Sequence, residues 1–110
     1  MASDYVFIPD VIEGLRDIPA DSIISRSLYA DDQVKVTLFR FAPGQELTEH
    51  TASRPAALHF LEGRARLTLG EDTFQAGPGT WVHMPANLKH GIQAETSLVM
   101  LLQLFLGPER

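Results

Sequence analysis

The sequence predicts an all-β domain, a sandwich or closed barrel of short antiparallel strands, and three observations carry that expectation. From Val34 onward, segments rich in Val, Leu, Thr and Phe recur between Gly and Pro at intervals of roughly ten residues. One of them, Arg64-Ala65-Arg66-Leu67-Thr68-Leu69, alternates strictly between polar and apolar side chains. The longest apolar run, Leu98 to Leu106, is interrupted by Gln103 and falls far short of the roughly 20 residues a membrane helix needs, so it reads as a buried strand.

The elements follow in order. Val11, Leu15 and Ile18 stand at helical spacing ahead of Pro19, which predicts a short helical turn, followed by a strand near Ile23 to Tyr29. Val34 to Phe41 is a strand ended by Pro43-Gly44, and Ala57 to Leu61 leads into Glu62-Gly63. The alternating segment puts Arg64, Arg66 and Thr68 on one face and Ala65, Leu67 and Leu69 on the other, the pattern of a half-exposed strand. Gly70-Glu71-Asp72 is turn chemistry, and Thr73 to Gln75 returns as the second arm of a hairpin before Gly77-Pro78-Gly79 breaks the chain. Trp81 to Met84, Gly91 to Ala94 and Leu98 to Leu106 supply the remaining strands. Residues 1–33 read as an N-terminal extension packed on a barrel formed by residues 34–110, within one domain overall.

Composition narrows the function. The chain has 110 residues, 45% hydrophobic and 21% charged, enough to bury an ordinary core without disulfides or a structural metal. A bound metal would therefore be functional rather than a staple. Net charge is −5 with the basic residues scattered, which disfavours nucleic acid and anionic membranes as partners. The absence of cysteine excludes thiol catalysis and thiolate zinc sites, leaving His and carboxylate as metal ligands. The opening residues, Met1 to Pro9, have neither a basic start nor a long apolar stretch, so the expected location is the cytoplasm.

Two stretches carry the chemistry. The first runs from Gly44 through Glu46 and Glu49 to His50, with Gly63 thirteen residues later; the second runs from Gly79 through Trp81, His83, Pro85 and Asn87 to His90. Together they resemble the paired motifs of the cupin superfamily, a resemblance covering residues 34 to 106. It implies a double-stranded β-helix, or jelly-roll barrel, with a pocket at one mouth. Gly44, His50 and Gly63 match the first motif, and Gly79, Pro85 and His90 the second, with Asn87 where the family has glycine. The family's second histidine falls at Ala52 and its glutamate at Ala56, so two of four expected metal ligands are absent. Ser53-Arg54-Pro55 offers no replacement, and the chain is similar to a group of small cupins with this same lack.

A metal that activates oxygen or an enolised substrate needs about three converging protein ligands with other positions open. The resemblance places His50 and His90 in the barrel mouth. His83 shares a face with Trp81, opposite Val82 and Met84, and alternation does not say which face is inward; analogy with cupins carrying a polar residue there favours inward, against an outer-face or interface histidine. His59 is expected to point outward as a structural residue, because Ala56, Leu58 and Phe60 then point inward. The candidate metal set is thus His50, His90 and His83, with nickel, iron, manganese or zinc as the candidate ion. Glu46, with the same parity as His50 if the segment is regular, is the spare ligand, while Glu49 faces the other way.

The candidate ligand pocket adds Phe60, Trp81 and Gln103 to those histidines. Gln103, alone in an apolar strand, reaches either the pocket or a backbone partner. Trp81 would stack on a ligand or serve core or interface, and Arg40 would clamp a carboxylate or stand on an exposed strand face. Two classes of function remain: a protein that binds a small molecule, with or without a weakly held divalent metal, and a metal-dependent dioxygenase, isomerase or decarboxylase using His50, His83 and His90. The resemblance also implies a homodimer, to which the N-terminal strand could contribute because a jelly roll leaves edges to protect.

Overall fold

In a computed structural model, which describes residues 4–13 and 19–107 with the backbone alone at 49 and 50, nine strands form two antiparallel sheets. They are β1 (Ile23–Ala30), β2 (Val34–Phe41), β3 (Glu46–His50), β4 (Ala56–Glu62), β5 (Ala65–Leu69), β6 (Asp72–Ala76), β7 (Trp81–Met84), β8 (His90–Ala94) and β9 (Leu98–Phe105). Sheet A runs β1-β2-β9-β4-β7 and sheet B runs β3-β8-β5-β6. No helix among the described residues is long and apolar enough to cross a membrane.

The strands expected from alternation are present within a residue or two of their expected ends. The strand at Glu46–His50 was not expected as a ladder element, because its sequence, Glu-Leu-Thr-Glu-His, has a single apolar residue to show a period. In the expected helical stretch, Val11 to Glu13 form a turn, whereas Leu15 and Ile18 lie outside the described residues.

Alternation on facing strands builds the core between the sheets. From sheet A come Phe41, Leu58, Phe60, Leu98 and Met100, and from sheet B Ala65, Leu67, Ala76, Ile92 and Ala94, all buried in one cluster. At about 25 cal/mol per Å² of apolar surface removed from water, this cluster is the main source of stability. Sheet A also has a smaller apolar cluster on its outer face, where Val11 and Ile12 pack over Leu38 and Val99. The N-terminal segment therefore covers the β1-β2-β9 half of that face.

The glycine of the first motif after β4 has a steric reason. Gly63 has φ +86°, and a Cβ there would collide with the backbone carbonyl of Ser97. Asn87, which replaces the second motif's glycine, has φ +70°, a conformation that Asn tolerates better than most side chains.

Candidate functional site

Four chain ends meet at one end of the sandwich: β3 finishes at His50, β4 starts at Ala56, β7 finishes at Met84 and β8 starts at His90. The register ties them together. His50 opposes His90, Ala56 opposes both Met84 and Leu104, and His90 also opposes Leu69 on its other side. The loop after His50 is held to the loop before His90 by the Asn87 N–H, which donates to the Ala52 carbonyl at 2.7 Å.

His90 shares its face of β8 with Ile92 and Ala94, both core residues, so its ring projects between the sheets; it is 8% exposed. Its Nδ1 lies 3.0 Å from the Leu88 carbonyl oxygen. In the neutral ring that contact puts the proton on Nδ1 and makes Nε2 the lone-pair nitrogen. The surrounding interior is apolar, with Ala56 and Met84 buried and Leu69, Leu88 and Leu104 partly buried against the same core.

The position of His50 depends on an irregularity. Leu47 opposes Ile92 but His50 opposes His90, so three steps along β3 span two along β8. This bulge breaks the parity that made Glu46 a spare ligand. Glu46 opposes Gln93, on the face away from the core, and is exposed.

Other expected site residues lie elsewhere. Val82 and Met84 pack on the core, so Trp81 and His83 occupy the outer face of sheet A, where both are exposed. The inward placement of His83 is corrected: on a four-residue strand, the two apolar side chains Val82 and Met84 take the interior and leave the other parity to the outside. His83 stacks on Phe105, ring centroids 6.3 Å apart at 28°. Gln103, paired with Ala57 and Val36, faces out as well, and His59 lies outward as expected. Phe60 faces inward but is fully buried in the core. Arg40 is neither a clamp at the His90 end nor an exposed side chain. It is buried on the outer face of sheet A, 3.6 Å from Glu62 and donating to Ser97 Oγ at 3.3 Å.

The donor set does not fit the metal that the motif resemblance implies. Of its four ligand positions two are alanines, Ala56 is inward and apolar, and neither His83 nor Glu46 joins the interior. Among the described residues no three His, Asp or Glu side chains come together. His50 and His90 by themselves leave such a site one protein ligand short.

A family model described as the cupin domain matches residues 37–104. The chain belongs to the cupin family. Among solved structures, this cupin is similar to a conserved protein of unknown function from Streptococcus pyogenes, at 30% identity and a TM-score of 0.73, over 82% of this chain and 78% of that one. It is similar in fold to a cupin superfamily protein from Desulfitobacterium hafniense, at 24% identity and a TM-score of 0.79, over 84% and 85% of the two chains. An RmlC-like cupin from Shewanella frigidimarina shares the fold over 98% of this chain and 95% of that one, at 15% identity and a TM-score of 0.77. No curated protein matches the chain.

Proposed function

We propose that this cupin binds a small organic molecule at the His50–His90 end of its barrel, with apolar contact to the molecule's body and hydrogen bonding to one polar group. One observation carries the reading: His90, 8% exposed, projects into an interior otherwise built of apolar side chains. A buried imidazole is costly to keep unless it is satisfied or used. Its Nδ1 contact with the Leu88 carbonyl orients the ring between the sheets. The alanines at 52 and 56 favour binding over metal-dependent turnover, because they remove the donors that such turnover needs.

The test is ligand-observed NMR with a panel of small carboxylic acids, phenols and alcohols, comparing wild type with His90→Gln and His50→Ala. Molecules bound by wild type are expected to bind roughly tenfold or more weakly to His90→Gln, the loss of a hydrogen bond to a buried group, and more weakly to His50→Ala as well. Binding that is indifferent to both substitutions would sink the reading.

A further inference from the structure

The two sheets face each other in matched order. Residues 42–45 carry β2 into β3, 63–64 carry β4 into β5, 77–80 carry β6 into β7 and 95–97 carry β8 into β9, each a short crossing from one sheet to the other. β2, β9, β4 and β7 therefore lie over β3, β8, β5 and β6, the same order in which the strands pair within each sheet. All four crossings are at the end away from His90. At the His90 end two rows face each other. Sheet A contributes Lys35, Leu104, Ala56 and Met84, each opposite the next, and sheet B contributes His50, His90, Leu69 and Asp72 in the same way.

Residues directly opposite on antiparallel strands share a face. Leu104 packs against the core, so Lys35 stands on the inner face beside it, on the strand that lies over the end of β3. It is exposed, as suits a lysine at the rim of an apolar interior, whose stem can lie on the apolar side while its ammonium stays wet. Among the described residues that ammonium has no hydrogen bond or ion pair. The carboxylate of Asp31, in the turn before β2, is taken up by the Tyr29 hydroxyl and the N–H groups of Gln33 and Val34. Other cations of this end are directed elsewhere. Lys89, next to His90 and of opposite parity, lies outside sheet B beside Thr68, Glu71 and Thr73, and Arg54 donates to the Gly107 carbonyl at 2.7 Å.

Lys35 is thus the one Lys or Arg in the two rows, and Asp72 the one carboxylate. They stand on opposite sides of the opening, three strand spacings or about 14 Å apart, which exceeds the screening length of about 8 Å at physiological salt. Asp72 therefore does not cancel Lys35; it makes the opening positive at the β2 side and negative at the β6 side.

We propose that the molecule bound at this end is a small organic carboxylate whose charged end is held by Lys35, a specification that rests on the reading of the His50–His90 end as a binding site. The carboxylate accepts a charge-assisted hydrogen bond from the ammonium at the rim. The apolar body lies against Leu104 and Ala56, and a second polar group reaches His90, one strand over on the facing sheet. Asp72 repels the reversed orientation.

Matched acid and amide pairs test it by ligand-observed NMR at pH 7: benzoate against benzamide, and 4-hydroxybenzoate against 4-hydroxybenzamide. Wild type is expected to bind the acid of each pair roughly fivefold or more tightly than the amide, as for an ion contact at a partly wet rim. Lys35→Met should bring the acid down to the level of the amide and leave the amide unchanged, while Lys89→Met leaves the preference intact. His90→Gln should weaken both members alike. Acids bound no more tightly than amides by wild type, or a preference that survives Lys35→Met, would overturn the role of Lys35 while leaving the binding site standing. Wild type that binds neither member of either pair would overturn both.

Discussion

His50 lies directly opposite His90 across the β3–β8 pair, brought there by a bulge after Leu47. The two histidines come from motifs forty residues apart, yet they sit on neighbouring strands with alanines at the family's other two ligand positions. Alanine at two of the four motif positions leaves no carboxylate and only two histidines there, and that gives the first prediction.

Wild-type protein purified without an immobilised-metal column should carry substoichiometric manganese, iron, nickel and zinc by mass spectrometry. The double variant Ala52→His with Ala56→Glu restores a four-donor set at the motif positions and should gain stoichiometric metal. A full equivalent in wild type, lost on His50→Ala, would show that two histidines suffice.

Backbone conformation at the two motif turns gives the second. Asn87, at φ +70°, should accept glycine with little change, whereas Asn87→Val should cost about 1–2 kcal/mol from the left-handed conformation. Gly63→Ala should cost more than its φ alone implies, because the new Cβ meets the Ser97 carbonyl. Urea unfolding of the three variants checks the order.

Arg40 carries the third. Its side chain is about one-tenth exposed, its Nε has no hydrogen-bond partner among the described residues, and its carboxylate partner Glu62 is half exposed. Glu62→Ala should destabilise by about 1 kcal/mol, reduced by solvent screening from the cost of a fully buried unpaired charge. Arg40→Met, which keeps the volume and removes the charge, should leave stability level or raised. Denaturant midpoints that rank these two variants the other way would contradict the account.

The turn between β1 and β2 gives a pH signature. The Tyr29 hydroxyl donates to Asp31 Oδ2 at 2.6 Å, and Asp31 Oδ1 accepts from the N–H groups of Gln33 and Val34. The hydrogen bond from Tyr29, then those from the two backbone N–H groups, hold the Asp31 carboxyl below its ordinary value. Hydrogen bonding to Asp31, with minor help from burial and the nearby carboxylates, holds the Tyr29 phenol above its own. A depressed carboxylate stabilises above its unfolded pKa and loses that contribution as pH falls through the folded value. A raised phenol stabilises below its unfolded pKa and loses that contribution as pH rises through the folded value. The stability difference between wild type and Tyr29→Phe should therefore be level from about pH 5 to 9 and shrink below about pH 4 and above about pH 10. Unfolding titrations across that range would show a constant difference if the bond plays no part.

Sequence alone determined the fold class, eight of the nine strands and the motif positions of His50 and His90, because alternation and turn residues are local properties that the chain writes in order. It also marked Ala52 and Ala56 as the missing ligands. Alternation says that Trp81 and His83 share a face, but not which face lies inside; that is decided where Val82 and Met84 dock on the core. Parity made Glu46 the spare ligand on the side of His50, and a register shift in β3 removed that premise while Glu46 came to oppose Gln93 on the outer face. Arg40 looked like an exposed or ligand-facing strand residue until Glu62 and Ser97, distant in the chain, were brought beside it. Each of these outcomes rests on pairing between strands remote in sequence, and a period of two cannot encode which neighbour will cover a face or where a ladder slips by one residue.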